Sequence, residues 1–255
     1  MLWHKSWLET RARFLVGLAL AICAALSVVM LYTRVGELLQ LAPPPDTGGV
    51  LGRKIREAVV LAQDYRGYVW SQWFAHQLTQ MWTLFALLLG SGGLRSQSSR
   101  GGALFTLSLP VSRGRMVGVR AAVALAELAV LALVPSLVLV ALSPAIGQSY
   151  SIADAVVHAL CVAVGGSVLF SLTFALSTLW ADLWRPLLIA LLVVVVLSLA
   201  QTVFPELSRF SVFGVMSAEG YFQGDGLPWL GLSASAAVSA ALLWGAARNI
   251  ARQDF

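Results

Sequence analysis

Long apolar runs alternate with short polar segments along most of this chain. Six runs, at 14–32, 69–89, 117–142, 152–179, 186–204 and 227–247, are each close to the ~20 residues that an α-helix needs to cross the core of a bilayer. The alternation predicts an all-α integral membrane protein, a single transmembrane domain over residues 1–255, with six transmembrane helices.

Composition agrees with this pattern. Of the 255 residues, 58% are hydrophobic and only 11% are charged, which suits a lipid-embedded chain better than a soluble core. The net charge of +5 is spread among the apolar runs, so it indicates contact with the lipid bilayer and not with nucleic acid. Cys23 and Cys161 both lie inside predicted spans, outside any metal-ligand spacing.

The first thirteen residues predict a helix that lies in the membrane interface. Aromatic and charged residues fall on opposite helical sides, Trp3, Trp7 and Phe14 on one and Lys5, Glu9 and Arg13 on the other. The apolar run that follows is too long for a secretory signal, and no clear cleavage site comes after it. We therefore expect an uncleaved anchor.

The distribution of Lys and Arg predicts that both termini are cytoplasmic. With the N-terminus inside, the inner segments hold eleven basic and three acidic residues, and the outer segments hold six basic and eight acidic residues. The inner basic residues are Lys5, Arg11, Arg13, Arg95, Arg100, Arg113, Arg115, Arg120, Arg185, Arg248 and Arg252. The predicted location is the cell (inner, cytoplasmic) membrane, with several passes.

The inner segment between spans two and three, 95–115, carries a distinctive pattern. In "LFTLSLPVSRGR" an apolar stretch of helical character stops at Pro110, and a basic turn opens the next span. A loop that served only to hold topology would not need this arrangement.

These residues resemble the permease subunits of type-2 ATP-binding cassette (ABC) exporters. The similarity is carried by Arg100–Gly101, by the run 107–113 (LSLPVSR) and by a basic Arg120 entering span three. The sequence departs from the family pattern at Ser99 and Gly102. In that family the segment forms a cytoplasmic coupling helix on the ATPase, and the resemblance assigns this role to Gly101, Leu104, Leu107, Leu109, Pro110, Arg113 and Arg115.

The resemblance also implies partners. The chain has no Gly-x-x-x-x-Gly-Lys-Ser/Thr loop for nucleotide phosphates, so ATP and Mg would bind to two separate ABC ATPase subunits and this chain would bind no cofactor. It would itself be no enzyme. Family members pair two permeases, which implies a second copy of this chain.

Spans two and five carry the candidate translocation path. Span two has a polar stripe on one side, and span five has polar residues towards its outer end and an apolar LLVVVV deeper in. The residues are Gln72, His76, Thr79, Gln80 and Thr83 in span two, and Ser198, Gln201 and Thr202 in span five. In the resembling family these spans line the central path, and this polarity would suit an amphiphilic or lipid-like cargo. Ordinary hydrogen bonds between helices are the alternative for each residue alone.

Two further features of the spans have competing interpretations. Glu127 lies roughly 15 Å deep in span three, where it either meets a cationic group of the cargo or is buried against polar atoms of span two. Asp154, His158 and Cys161 share a helical face, but one ligand of each type is weak support for a metal site, and we expect none. "SIAD" instead predicts a helix start, with Ser151 as its cap.

The segment 205–226, between spans five and six, is too apolar for a free loop and too short to span. The family places short re-entrant helices here, at the outer mouth. Two other functional classes stay open from sequence: an ion-coupled secondary transporter, which few buried ionisable groups support, and a membrane-embedded hydrolase or assembly factor, for which no nucleophile and base are apparent.

Overall fold

The computed structural model describes residues 2–41, 59–92, 113–180, 182–203 and 211–252, and this part of the chain is helical with short connections and no strand. The long helices are α1 (Leu2–Leu41), α4 (Arg113–Leu142), α5 (Ile152–Ser177), α6 (Trp184–Val203) and α9 (Trp229–Ala251). Within the described ranges, these five contain the helical stretches that are long and apolar enough to cross a membrane. The protein is thus an all-helical, multi-pass membrane protein.

The second predicted span forms a helix of a different kind. Residues 65–91, called the second helix below, consist of α2 (Tyr65–Val69), a π-helical segment (Trp70–Leu78) and α3 (Thr79–Ser91). None of the three parts alone has the length of a span. Together they are roughly 40 Å long at the α-helical rise, which is enough to cross a bilayer core.

The remaining span boundaries agree with the apolar pattern to within a few residues, except at the N-terminus. There the predicted division into an interfacial helix (1–13) and a first span (14–32) is not visible, since α1 runs without a break from Leu2 to Leu41. The third span begins earlier than expected, at Arg113.

Helix α5 lies at the centre of the bundle, where it packs against α3, α4, α6, α9 and a short helix, α7 (Val212–Ser217). Small residues let its neighbours approach closely. A Cβ added to Gly166 would lie 2.3 Å from the Trp82 ring, and one added to Gly90 would lie 2.9 Å from the Phe170 carbonyl. The buried Trp82 donates its indole N–H to the Leu128 carbonyl at 2.9 Å, so three helices are fixed around one side chain.

Two short helices, α7 and α8 (Glu219–Gln223), occupy the described part of the segment between α6 and α9. They are joined at Ala218, whose φ of 48° places it in the left-handed region. Val215 and Met216 of α7 are buried against Gly165 of α5. Trp70 donates its indole N–H to the Ser217 carbonyl at 3.0 Å, which ties this segment to the second helix.

Candidate functional site

The π-helical segment shapes the polar side of the second helix. The Nδ1 atom of His76 lies 2.6 Å from the Ser71 carbonyl, and Thr79 donates its hydroxyl to the Phe74 carbonyl at 2.7 Å. Both bonds reach back five residues, which is the spacing of a π-helix. Such turns are rare and are often found at functional sites.

A cavity of about 400 Å³ lies between the second helix and α6. It gathers most of the residues that the sequence assigned to the translocation path, and these are His76, Thr79, Gln80, Thr83, Ser198 and Gln201. Gln72 is on the same helix but points outward and does not line the cavity. Thr202 belongs to α6, and its side chain lies outside the described residues.

The other half of the lining is apolar, and sequence reasoning did not select it. Its residues are Ala75, Leu84, Leu87, Leu191, Val194 and Phe213. On both helices the leucines lie towards Ser91 or Trp184, and the polar groups lie towards Tyr65 or Val203. Phe213 comes from α7, so the short helix forms part of the wall. In the sequence, a Leu or Val that lines a cavity cannot be distinguished from one that faces lipid, so these lining positions could not be predicted.

Glu127 does not lie in this cavity. It is 4% exposed, and its Oε1 atom accepts a hydrogen bond from the Thr10 hydroxyl at 2.5 Å. Its Oε2 atom has no hydrogen-bond partner in the described ranges. The sequence interpretation that buried it against polar atoms of span two named the wrong helix, because the partner is on α1.

A second polar cluster closes the end of the second helix near Ser91. Arg120 of α4 donates a hydrogen bond to the Gly92 carbonyl and lies 3.5 Å from Glu9 of α1, and Arg13 donates to the Leu88 carbonyl at 3.1 Å. The last carbonyls of a helix lack intrahelical partners and attract cations. Two arginines therefore bind this helix end to α1 and α4. The sequence had placed both among the inner basic residues, and Arg120 in the family resemblance, without indicating these contacts.

Most of the predicted coupling residues lie outside the described part of the chain. This holds for Gly101, Leu104, Leu107, Leu109 and Pro110. Arg113 is the first residue of α4, and Arg115, one residue beyond Gly114, has an exposed side chain. The arginine cluster at Gly92 and the start of α4 at Arg113 are the described ends that flank the segment.

All five tyrosines of the chain gather at the opposite end of the bundle. Tyr32 of α1 packs against Tyr65 and Tyr68 of the second helix at ring distances of 4.8 and 5.1 Å, and Tyr65 packs against Tyr150 at 6.5 Å. Burial raises the pKa of Tyr150, which therefore stays neutral. The sequence offered no sign that these rings meet.

The proposed helix start at "SIAD" is confirmed. Ser151 caps α5 and accepts a hydrogen bond from the Asp154 backbone N–H at 3.2 Å. The Asp154 carboxylate lies 3.2 Å from Arg66 and accepts a hydrogen bond from the Tyr221 hydroxyl at 3.1 Å. Burial is the larger cause that raises the pKa of Tyr221, and the hydrogen bond to Asp154 raises it further. Asp154 thus joins the second helix, α5 and α8. Separately, no group of three His, Cys, Asp or Glu side chains in the described ranges could hold a metal.

No known protein family, curated protein or solved structure matches the chain. The architecture itself defines the class, an all-helical multi-pass membrane protein with a half-polar cavity between two of its helices.

Proposed function

We propose that this chain is the membrane-spanning permease subunit of a type-2 ABC exporter. Two copies would form the translocation path, and two separate ATPase subunits would bind ATP and Mg and drive transport. The observation that carries the proposal is the cavity between the second helix and α6, which brings together six polar residues from two helices at membrane depth. The family in this proposal rests on the resemblance of the motif in 95–115 to type-2 ABC exporter permeases.

In this proposal the second helix also crosses the membrane, which gives six spans together with the five long helices. The polar side chains that line the cavity also lower the hydropathy of this helix. The polar path and the weak hydropathy signal of the span therefore have the same cause. With six spans, both termini lie on the cytoplasmic side, as the Lys and Arg distribution predicts. The tyrosine cluster then faces outward and the arginine cluster faces the cytoplasm.

The exposure of the cavity supports a second copy. His76 and Gln80 have exposed side chains, and the neighbouring face of α6 presents large apolar residues such as Leu192 and Leu199 outward. Polar side chains at membrane depth need protein or water beside them, since lipid cannot satisfy them. A second chain packed on this side would convert two lateral cavities into one central path.

The arginine cluster supports mechanical coupling. Arg13 and Arg120 bind one helix end to two other helices, immediately before the segment that would rest on the ATPase. A displacement of that segment by the ATPase would therefore move α1, the second helix and α4 together. The second helix would carry the movement to the cavity wall.

Copurification tests the assignment. The tagged chain, extracted from its native membrane in a mild detergent, should retain a polypeptide with a nucleotide-binding loop, identified by mass spectrometry. Recovery of the chain alone or with another copy, but with no ATPase, would contradict the proposal and favour an ion-coupled transporter or a membrane-embedded hydrolase.

A double variant makes the test specific. Leu107→Ala with Arg113→Ala should weaken ATPase retention by roughly thirtyfold, since truncating a buried interface anchor costs about 2 kcal/mol or more. Arg252→Ala, near the C-terminus, removes another basic residue on the same predicted side and should leave retention unchanged. Equal retention by the double variant and wild type would leave 95–115 as a topology signal only.

A further inference from the structure

The lining residues that the structure describes are rich in hydrogen-bonding groups and include no carboxylate, ammonium or guanidinium group. Their polar half consists of two amides, three hydroxyls and one imidazole. Amides and hydroxyls can each donate and accept a hydrogen bond.

The hydrogen bond of His76 fixes the role of its ring. Nδ1 lies 2.6 Å from the Ser71 carbonyl, and a carbonyl oxygen can only accept, so we assign the ring proton to Nδ1. In the neutral ring Nε2 is then an acceptor. None of the described lining residues is acidic.

Thr83 supplies a further sign of a ligand. Its side chain is part of the cavity wall and only 6% exposed, yet its hydroxyl oxygen has no hydrogen-bond partner in the described part of the protein. A buried hydroxyl without a partner is unfavourable. A ligand with its own hydrogen-bonding groups would relieve this cost.

We propose that the cavity binds an uncharged amphiphile, with a hydroxyl- or amide-bearing head group beside Gln80 and Gln201 and an apolar chain beside Leu87 and Leu191. This identifies the cargo class of the proposed exporter and in that respect rests on the proposed function. The volume of about 400 Å³ lies within the range of small-molecule sites. A charged head group would meet no counter-charge among the described lining residues, which is costly at membrane depth.

The test uses three photoreactive probes with one alkyl chain and different head groups: a glucoside, a sulfate and a trimethylammonium. The chain is reconstituted in nanodiscs of neutral lipid, and cross-links are mapped by mass spectrometry. Labelling of the second helix and α6 is divided by labelling of α9 around Trp244, whose outward side chain reports probe that is merely dissolved in lipid.

The glucoside should label the cavity helices saturably and above the α9 level. The charged probes should bind roughly fiftyfold more weakly, as expected for burying an unpaired charge at membrane depth. Equal or stronger cavity labelling by either charged probe would overturn the proposal.

Variants locate the site. Gln80→Leu with Gln201→Leu should reduce glucoside labelling to the α9 level, and Gln72→Leu, on the same helix but outside the cavity, should leave it unchanged. Gln80→Glu should shift the preference to the trimethylammonium probe. Wild-type labelling by the double variant would place the ligand elsewhere. If a variant fails to insert, the head-group series on the wild-type chain still decides.

The outcome is independent of the ATPase experiment. Head-group-selective labelling without a copurified ATPase would remove the exporter assignment and keep the site. A copurified ATPase with preferred labelling by a charged probe would keep the exporter and remove the proposed cargo class.

Discussion

The Thr10 hydroxyl of α1 donates a 2.5 Å hydrogen bond to Glu127 of α4, joining residues 117 positions apart in the chain. Both side chains are buried, Thr10 at 7% and Glu127 at 4% exposure. The Ser6 and Trp7 carbonyls of α1 lie 3.1 and 3.3 Å from the same Thr10 hydroxyl, which can donate its single proton to one acceptor at a time. The hydroxyl therefore lies between the α1 backbone and the one carboxyl group that the sequence places deep within a span.

Substitutions at this pair should separate a structural role from a cargo-binding one. Glu127→Gln keeps the size and an oxygen acceptor, so expression and transport should remain. Thr10→Val removes the donor and leaves the carboxyl group buried with one partner fewer, which should cost about 1–3 kcal/mol of stability in detergent. Adding Glu127→Leu to Thr10→Val should restore part of that loss. Lost transport with full stability in Glu127→Gln would instead indicate that Glu127 binds cargo.

Arg120 and Arg115 lie on the same helix and differ in their surroundings. Arg120 is 9% exposed and binds Gly92 and Glu9, whereas the side chain of Arg115 is exposed. Arg120→Ala should lower the free energy of unfolding by about 1–3 kcal/mol, and Arg115→Ala should change it by no more than about 0.5 kcal/mol. Tryptophan fluorescence during thermal unfolding measures both. Equal effects would show that the cluster at Gly92 contributes nothing beyond charge.

Alanine substitutions at two helical glycines should have opposite effects on stability. A Cβ at Gly166 would lie 2.3 Å from the ring of Trp82, which is buried and held by its bond to Leu128, whereas a Cβ at Gly118 meets no atom within 4 Å. Gly166→Ala should destabilise the protein by about 1–3 kcal/mol or more through overpacking. Gly118→Ala should stabilise it by about 0.5–1 kcal/mol, since alanine is the better helix former. The same unfolding measurement checks both, and a neutral Gly166→Ala would mean that α5 and the second helix are packed less closely.

Cysteine labelling in intact cells distinguishes five spans from six. Cys23 is replaced by Ala, which leaves the buried Cys161 as the remaining native cysteine. Cysteines then introduced one at a time at His4 and Arg252 should both be protected from an impermeant reagent, and one at Gln223 should react. All three native side chains are exposed, so access is not limited by burial. If the second helix did not cross the membrane, His4 and Arg252 would lie on opposite faces and only one of them would be protected.

The sequence by itself determined the helical, membrane-embedded character, most helix boundaries and the polar residues of the cavity wall. The reason is that insertion into lipid is largely a sum over single residues, so apolar runs of sufficient length identify α4, α5, α6 and α9. Helical periodicity then placed five polar residues of span two on one side, and four of them line the cavity together with Ser198 and Gln201. The cap at Ser151 depends on neighbours within one turn and was equally readable.

Only the tertiary structure decided which distant groups meet. Three sets of contacts join distant parts of the chain. Thr10 meets Glu127, Arg120 meets Gly92 and Glu9, and the five tyrosines meet at one end of the bundle. Hydropathy and charge counts treat each residue alone, so they assigned Arg120 to topology and Glu127 to the wrong partner helix. The π-helical segment has no local sequence rule either. These features depend on how helices rotate and pack against one another, which is fixed by contacts such as Gly166 with Trp82 and not by any single span.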